Sequence, residues 1–572
     1  MKYIGNLLAL FFVIISYGQN SEIRIEASID QNLNLKGVFN FKTSQKTDSL
    51  KIYKFSAGAN SEGRANLKIN SIRDNTGKDI SYEENEEWYR FVNTSDSKEF
   101  IIDYTLDLNA IHDWREKFEH VLFPGGLKQC WYPDVFMDGE RNFYKNFIVE
   151  INHPNNLTLI TSGVLIDEKI KRNSKRSQFK AENILSFSLN AGWDFINETI
   201  SNENISLSYF CPESKKEMYK KIALTAMEAV DWYVLKYGFF PKKHMGLAIG
   251  HPRWHGGFPA ENMFYIHQGN TETAFIQWIT SHELGHYYWG LHTLSATEDY
   301  LSPLMLSNGI WIDHLYLSEA YNKSFVDLWN SHATQAAMIE KYLATYLANY
   351  DQKVGYLTSK GRKFGFDYNS NVAHGKAAVG IYLLSNLIGV ERYVELQKEL
   401  LSDYKGKPLS IEDFIRFLEG KGYVFSRKFL EQWYKDHAII EYDLYRIKTT
   451  KKEGGWDYSF EVRKRGTVDY PIDVSVIDEK GNITNYRTKA ESTKEQITGF
   501  SKFEPVGFKL DMNGKVPMWN SDNEDVQRAF IFALYRAGRT KIAMTLAKLR
   551  LENEPNNERL IKLISVLETL GK

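Results

Sequence analysis

The stretch His282-Glu283-Leu284-Gly285-His286 constrains this chain more than any other part of it. Residues four apart share one face of an α-helix, one turn apart, so two imidazoles placed this way can converge on a single ion. Imidazole nitrogen suits Zn²⁺, and the intervening Glu283 projects beside the ion as a candidate base toward water. Those three side chains are the core of a zinc hydrolase site. The carrying helix is expected from Thr273 to about Trp289, capped by Asn270 or Thr271 and stopped at Gly290.

A chain of 572 residues holds roughly three or four domains. An apolar fraction of 43% with 14% aromatics supports large cores. The 71 basic and 72 acidic residues leave a net charge of −1, which points to neither nucleic acid nor an anionic membrane as a partner. Cys130 and Cys211 can pair but do not amount to a disulfide framework. At the N-terminus, Lys2 precedes an apolar run from Leu7 to Ile15 and then Ser16-Tyr17-Gly18. This reads as a signal peptide, residues 1–18, too short to span a bilayer comfortably. The mature chain is expected to be soluble and exported, periplasmic or extracellular, with no stable membrane insertion.

Periodicity divides the remainder. Residues 19–205 alternate apolar and polar side chains, as in Glu22 to Ile29, Glu99 to Thr105 and Phe147 to Ile151, and read as an N-terminal β domain. A helical period from Glu213 to Lys236, stopping at Tyr237-Gly238, opens a segment, 206–445, that is helical over much of its length. Alternation returns across 446–515, the size of a small β-sandwich, with Glu479-Lys480-Gly481-Asn482 as a hairpin turn. Residues 516–572 read as two or three amphipathic helices, with one tetratricopeptide-like spacing that cannot form a solenoid alone.

A further motif, Gly256-Gly257-Phe258-Pro259-Ala260-Glu261-Asn262, precedes His282. With it, the chain resembles the gluzincin family that includes aminopeptidase N and leukotriene hydrolase. Trp131-Tyr132-Pro133, Tyr233 to Pro241, His286 to Gly290 and Phe429 to Trp433 are similar to further family segments in the same order. The resemblance implies a multidomain α+β fold: an N-terminal β saddle, a thermolysin-like catalytic α/β domain (206–445), a small β-sandwich and C-terminal helices. It also implies Zn²⁺ as cofactor and a peptide as substrate. Ala260-Glu261-Asn262 matches the end of a family motif whose glutamate holds the substrate's free α-amino group, so that role falls on Glu261, with Ala260 and Asn262 lining the cleft.

The departures from the family concern the chemistry. Its third zinc ligand, a glutamate, corresponds by simple count to Met305, and by the following helix signature, Leu306-Ser307-Asn308-Gly309, to Asn308. Asn308, Glu298 or Asp299, and His292 all remain open as the third ligand. Asp313 is set aside, because it lies five residues past Asn308, about 140° around the helix. The family's oxyanion-binding tyrosine corresponds to His374, which can donate a hydrogen bond or bind metal; Tyr368 is the alternative phenol. The expected activity is therefore metallopeptidase hydrolysis, aminopeptidase-like, with Glu283 as base. A catalytically degenerate peptide-binding protein and an endopeptidase or other hydrolase on the same scaffold are the alternatives.

Overall fold

The computed structural model describes residues 21–42, 49–53, 55–56, 65–85, 88–92, 97–107, 120–123, 131–137, 144–250, 256–266, 272–296, 303–322, 338–348, 371–434 and 438–570. The expected signal segment, Cys130, Asn270, Thr271, Glu298, Asp299 and Tyr368 lie outside the described residues.

Strict alternation builds the N-terminal sheet. In Ser21–Ile29, Ile23, Ile25, Ala27 and Ile29 are buried while Arg24, Glu26 and Ser28 face solvent. This strand pairs antiparallel with Asn34–Lys42 and parallel with Lys145–Pro154 inside a seven-stranded sheet. Phe39, Phe41, Phe100, Trp131, Tyr132 and Phe147 fill the core beneath it. The Trp131 indole donates to the Phe187 carbonyl at 3.0 Å, so its polar edge is satisfied inside that core.

Helix α1 (Lys216–Tyr237) stops where expected. Gly238 takes φ 84°, and its N–H caps the Val234 carbonyl at 2.8 Å. The helix packs on a five-stranded sheet ordered Phe195–Ser201, Ser206–Pro212, His244–Ile249, Met263–Ile266, Gly257–Ala260. The sheet thus begins upstream of residue 206. Its Ser206–Pro212, His244–Ile249 and Met263–Ile266 strands run parallel, and Gly257–Ala260 returns antiparallel as an edge. The two-residue turn of that hairpin is Glu261-Asn262, with Asn262 at φ 53°, a conformation asparagine tolerates better than most residues.

The helices that follow are α2 (Thr273–Gly285), α3 (Pro303–Tyr321), α4 (Met338–Ala348), a π-helical turn (Asn371–Lys376), α5 (Ala377–Ile388), α6 (Val390–Asp403), α7 (Ile411–Gly420) and α8 (Phe425–Trp433). Helix α2 ends four residues earlier than the expected Trp289, and Glu272 rather than Asn270 or Thr271 is its N-terminal boundary. Beyond Gly285 the chain tightens: the Tyr287 and Tyr288 amides bond three residues back, to Leu284 and Gly285. Helices α2 and α3 approach closely at glycines, since a methyl on Gly285 would sit 2.8 Å from the Gly309 carbonyl oxygen.

Next come two three-stranded sheets, Tyr442–Lys452 with Gly455–Lys464 and Lys494–Ser501, and Ile483–Arg487 with Asp473–Asp478 and Pro505–Leu510. Phe460 and Phe508 meet edge-on between them at 5.4 Å. Gly481, φ 80°, turns the 478–483 hairpin. Helices α9 (Glu524–Arg536), α10 (Thr540–Asn553) and α11 (Glu558–Leu570) share their own core of Phe532, Leu534, Ala543, Ala547, Leu560 and Leu563. No helix among the described residues is long and apolar enough to cross a membrane.

Candidate active site

From Trp278 onward helix α2 is buried on all sides, so its polar residues there are held inside the molecule. His282 and His286 turn their Nε2 atoms toward each other at 3.3 Å. Two nitrogens bound to one tetrahedral zinc, each about 2.0–2.1 Å from it, are about 3.3 Å apart. The separation of the pair matches that span. Behind it, His282 Nδ1 lies 2.6 Å from Asp313 Oδ2, which fixes the ring and leaves Nε2 facing His286. Asp313 Oδ1 in turn holds His314 Nδ1. Burial pulls the His282 imidazole toward its neutral form, but the hydrogen bond and charge of Asp313 outweigh this and its pKa is raised. Burial, followed by the His282 charge, holds His286 well below the ordinary value.

Glu283 is buried, and its carboxyl is pushed up to about 8 chiefly by desolvation. Its Oε2 has no hydrogen-bond partner among the described residues, and neither has His286 Nδ1. Orphaned polar atoms in a buried site are what a water or ligand relieves. Gly257 on the edge strand leaves room for this carboxylate: a methyl there would fall 2.6 Å from Glu283 Cγ and Oε1. His374 comes to the same place from the π-helical turn, its ring centroid 6.2 Å from that of His282. Desolvation, then the Lys341, His282 and His286 charges, keep it neutral. Among the described residues, no three His, Cys, Asp or Glu side chains already share one metal position.

The other expected ligands are engaged elsewhere. Asn308, read as the third ligand, has its Oδ1 bonded to Tyr393 OH at 2.8 Å and Gln397 Nε2 at 3.0 Å, and its Nδ2 to the Leu304 carbonyl. Both carbonyl lone pairs are taken in this arrangement, and Asn308 ties α3 to α6. His292 bonds the Leu401 carbonyl at 3.1 Å through Nε2 and packs on Phe239.

Glu261 is 1% exposed, with Oε2 paired to Lys242 Nζ at 2.6 Å and Oε1 accepting the Leu185 amide at 3.0 Å. Its own carbonyl and the Asn262 amide clasp Ser162. The Ala260 carbonyl receives Tyr287 OH at 2.7 Å. These three residues join the five-stranded sheet to the N-terminal part of the chain, and both Glu261 carboxylate oxygens have protein partners there. Cys211 is buried and forms no disulfide among the described residues, and burial and the nearby acids push its thiol up to about 12.

Asp313 and Lys341 are the residues that sequence reasoning missed. The place of Asp313 behind His282 depends on how α3 crosses α2, which its position along its own helix does not announce. Nothing local marks Lys341.

The architecture is that of the M1 zinc metallopeptidases. A structure of such an enzyme from Deinococcus radiodurans superposes with a TM-score of 0.51 at 11% identity, covering 73% of this chain and 94% of that one. A glutamate-to-alanine mutant of it matches equally, and the same mutant bound to a Tyr-Ser-Ala substrate gives 0.52. At that identity the likeness establishes the fold. No family model and no curated protein matches the sequence.

Proposed function

We propose that this chain is an exported, zinc-dependent hydrolase of peptides. The observation that carries the reading is the 3.3 Å approach of His282 and His286 Nε2, with Asp313 locked behind His282 and the buried Glu283 Oε2 without a hydrogen-bond partner among the described residues. Zinc, when held by that pair, supplies Lewis acidity that activates water at neutral pH. Glu283 takes the proton of the attacking water and returns it to the leaving amine. Its burial suits a group that must hold a proton between two steps. The edge strand Gly257–Ala260 lies against Glu283 and offers a wall along which an extended peptide can be positioned. The fold neighbour's tripeptide substrate supports peptide as the substrate class.

The engagement of Glu261 by Lys242 favours a second reading over strict aminopeptidase action: cleavage that does not require a free α-amine. Paired peptides with free and acetylated N-termini separate the two. For hydrolysis itself, the test is Glu283→Gln in the full mature chain. Zinc content is expected to be unchanged and peptide turnover to fall at least about 10³-fold. Turnover retained in that variant refutes the mechanism. Zinc bound without turnover in the wild type leaves a peptide-binding protein.

A further inference from the structure

We infer that His374 is the third protein ligand of the metal, so that this chain holds its ion with three imidazoles drawn from α2 and the π-helical turn. The inference rests on the zinc-hydrolase reading and replaces the carboxylate that position 308 lacks. Asn308 has no lone pair left, Asp313 is committed behind His282, and His292 faces Leu401. Among the described residues, His374 is the further imidazole that the fold brings near the pair.

Geometry carries the assignment. His282 and His286 ring centroids lie 4.7 Å apart, and two imidazoles on one tetrahedral zinc require about 5 Å. His374 stands 6.2 Å from His282, so its ring must come roughly 1 Å nearer to share an ion with that partner. The turn that presents it is clamped on both sides. Gly375 packs so tightly on α4 that a methyl there would lie 2.6 Å from Lys341 Cβ and 2.7 Å from the Tyr342 nitrogen. The next residue, Lys376, receives the Trp433 indole N–H on its carbonyl at 2.8 Å. A π-helical turn is a costly local geometry, found mostly at functional positions. Here it sets His374 opposite the helix pair. Three neutral nitrogens with a fourth position open is also a ligand set that catalytic zinc uses.

The experiment uses the full mature chain loaded with Co²⁺ or Zn²⁺. X-ray absorption of the zinc protein is expected to count three imidazoles. His374→Ala is expected to lower zinc affinity by more than about 100-fold, beyond the loss typical of an outer-shell change. His374→Cys is expected to bind Co²⁺ with a new thiolate-to-cobalt charge-transfer band, absent from the wild type, which only direct coordination at 374 produces. Two imidazoles together with a carboxylate, unchanged zinc affinity in His374→Ala, or a Cys variant that binds Co²⁺ without the band overturns the assignment and leaves the hydrolase reading standing. A wild-type chain that binds neither metal overturns both.

Discussion

His282 and His292 are both buried imidazoles, yet their surroundings drive them in opposite directions. Asp313 raises His282, whereas His292 meets only the Leu401 carbonyl and the Phe239 ring, and burial takes it down to about 4. The consequence for His292 can be worked through. Its folded pKa lies below the unfolded value of about 6.5. The unfolded chain therefore binds the extra proton first as pH falls. Stability contributed by neutral His292 is fully present above pH 6.5 and is lost as pH drops toward 4. At pH 5 the loss is about 2 kcal/mol. His292→Gln should show a smaller drop in denaturation midpoint between pH 7 and pH 5 than the wild type, with zinc content unaltered. An equal drop in both proteins means that His292 does not titrate this way. Reduced zinc in the variant restores it as a ligand candidate.

The active-site elements are brought together by glycines. Gly285 and Gly309 let α2 and α3 touch, and a methyl on Gly309 would press within 2.9 Å of His286 Nδ1. Gly257 does the same for the edge strand and Glu283. Gly257→Ala places a methyl 2.6 Å from the Glu283 side chain and 2.7 Å from the Tyr265 carbonyl oxygen, so both the carboxylate and the paired strand must give way. Displacing the proposed base by about 1 Å costs on the order of 100-fold in rate. The expected variant keeps its zinc but has a lower melting temperature, and its turnover falls about that much. Turnover equal to wild type removes the edge strand from the positioning of Glu283. Of this arrangement, the part carried by local periodicity was readable: the i, i+4 histidines, the glutamate between them, the Gly238 stop and the 478–483 hairpin. The end of α2 was not, because the tightening after Gly285 answers to packing against α3. Nor were the fates of Asn308 and Glu261, whose partners Tyr393, Gln397 and Lys242 are remote in sequence or separately folded.

At the scale of the whole molecule, the C-terminal helices reach back to the site through one buried carboxylate. Glu340 on α4 is 1% exposed at its side chain and pairs with Arg536 of α9 at 3.2 Å and with Arg559 of α11. Alternation and amphipathicity announced those helices and the sheets before them, but no periodicity marks a single acid that receives two arginines from the far end of the chain. The adjoining Lys341 lies under the π-helical turn, so α4 links the tail to the element carrying His374. Both arginines are partly exposed and regain water when the acid is removed, which limits the cost. Glu340→Ala is expected to destabilise by about 1–3 kcal/mol, less than for a fully buried pair. The loss should be local. Hydrogen exchange is expected to quicken in α4, α9, α11 and the 371–376 turn while the Ser21–Ile29 strand keeps its protection, and zinc should dissociate faster. Glu340→Gln, which retains an acceptor for one arginine, should fall between the two. Uniform acceleration of exchange across the N-terminal sheet would show a global destabilisation instead, and unchanged zinc release would uncouple the tail from the site.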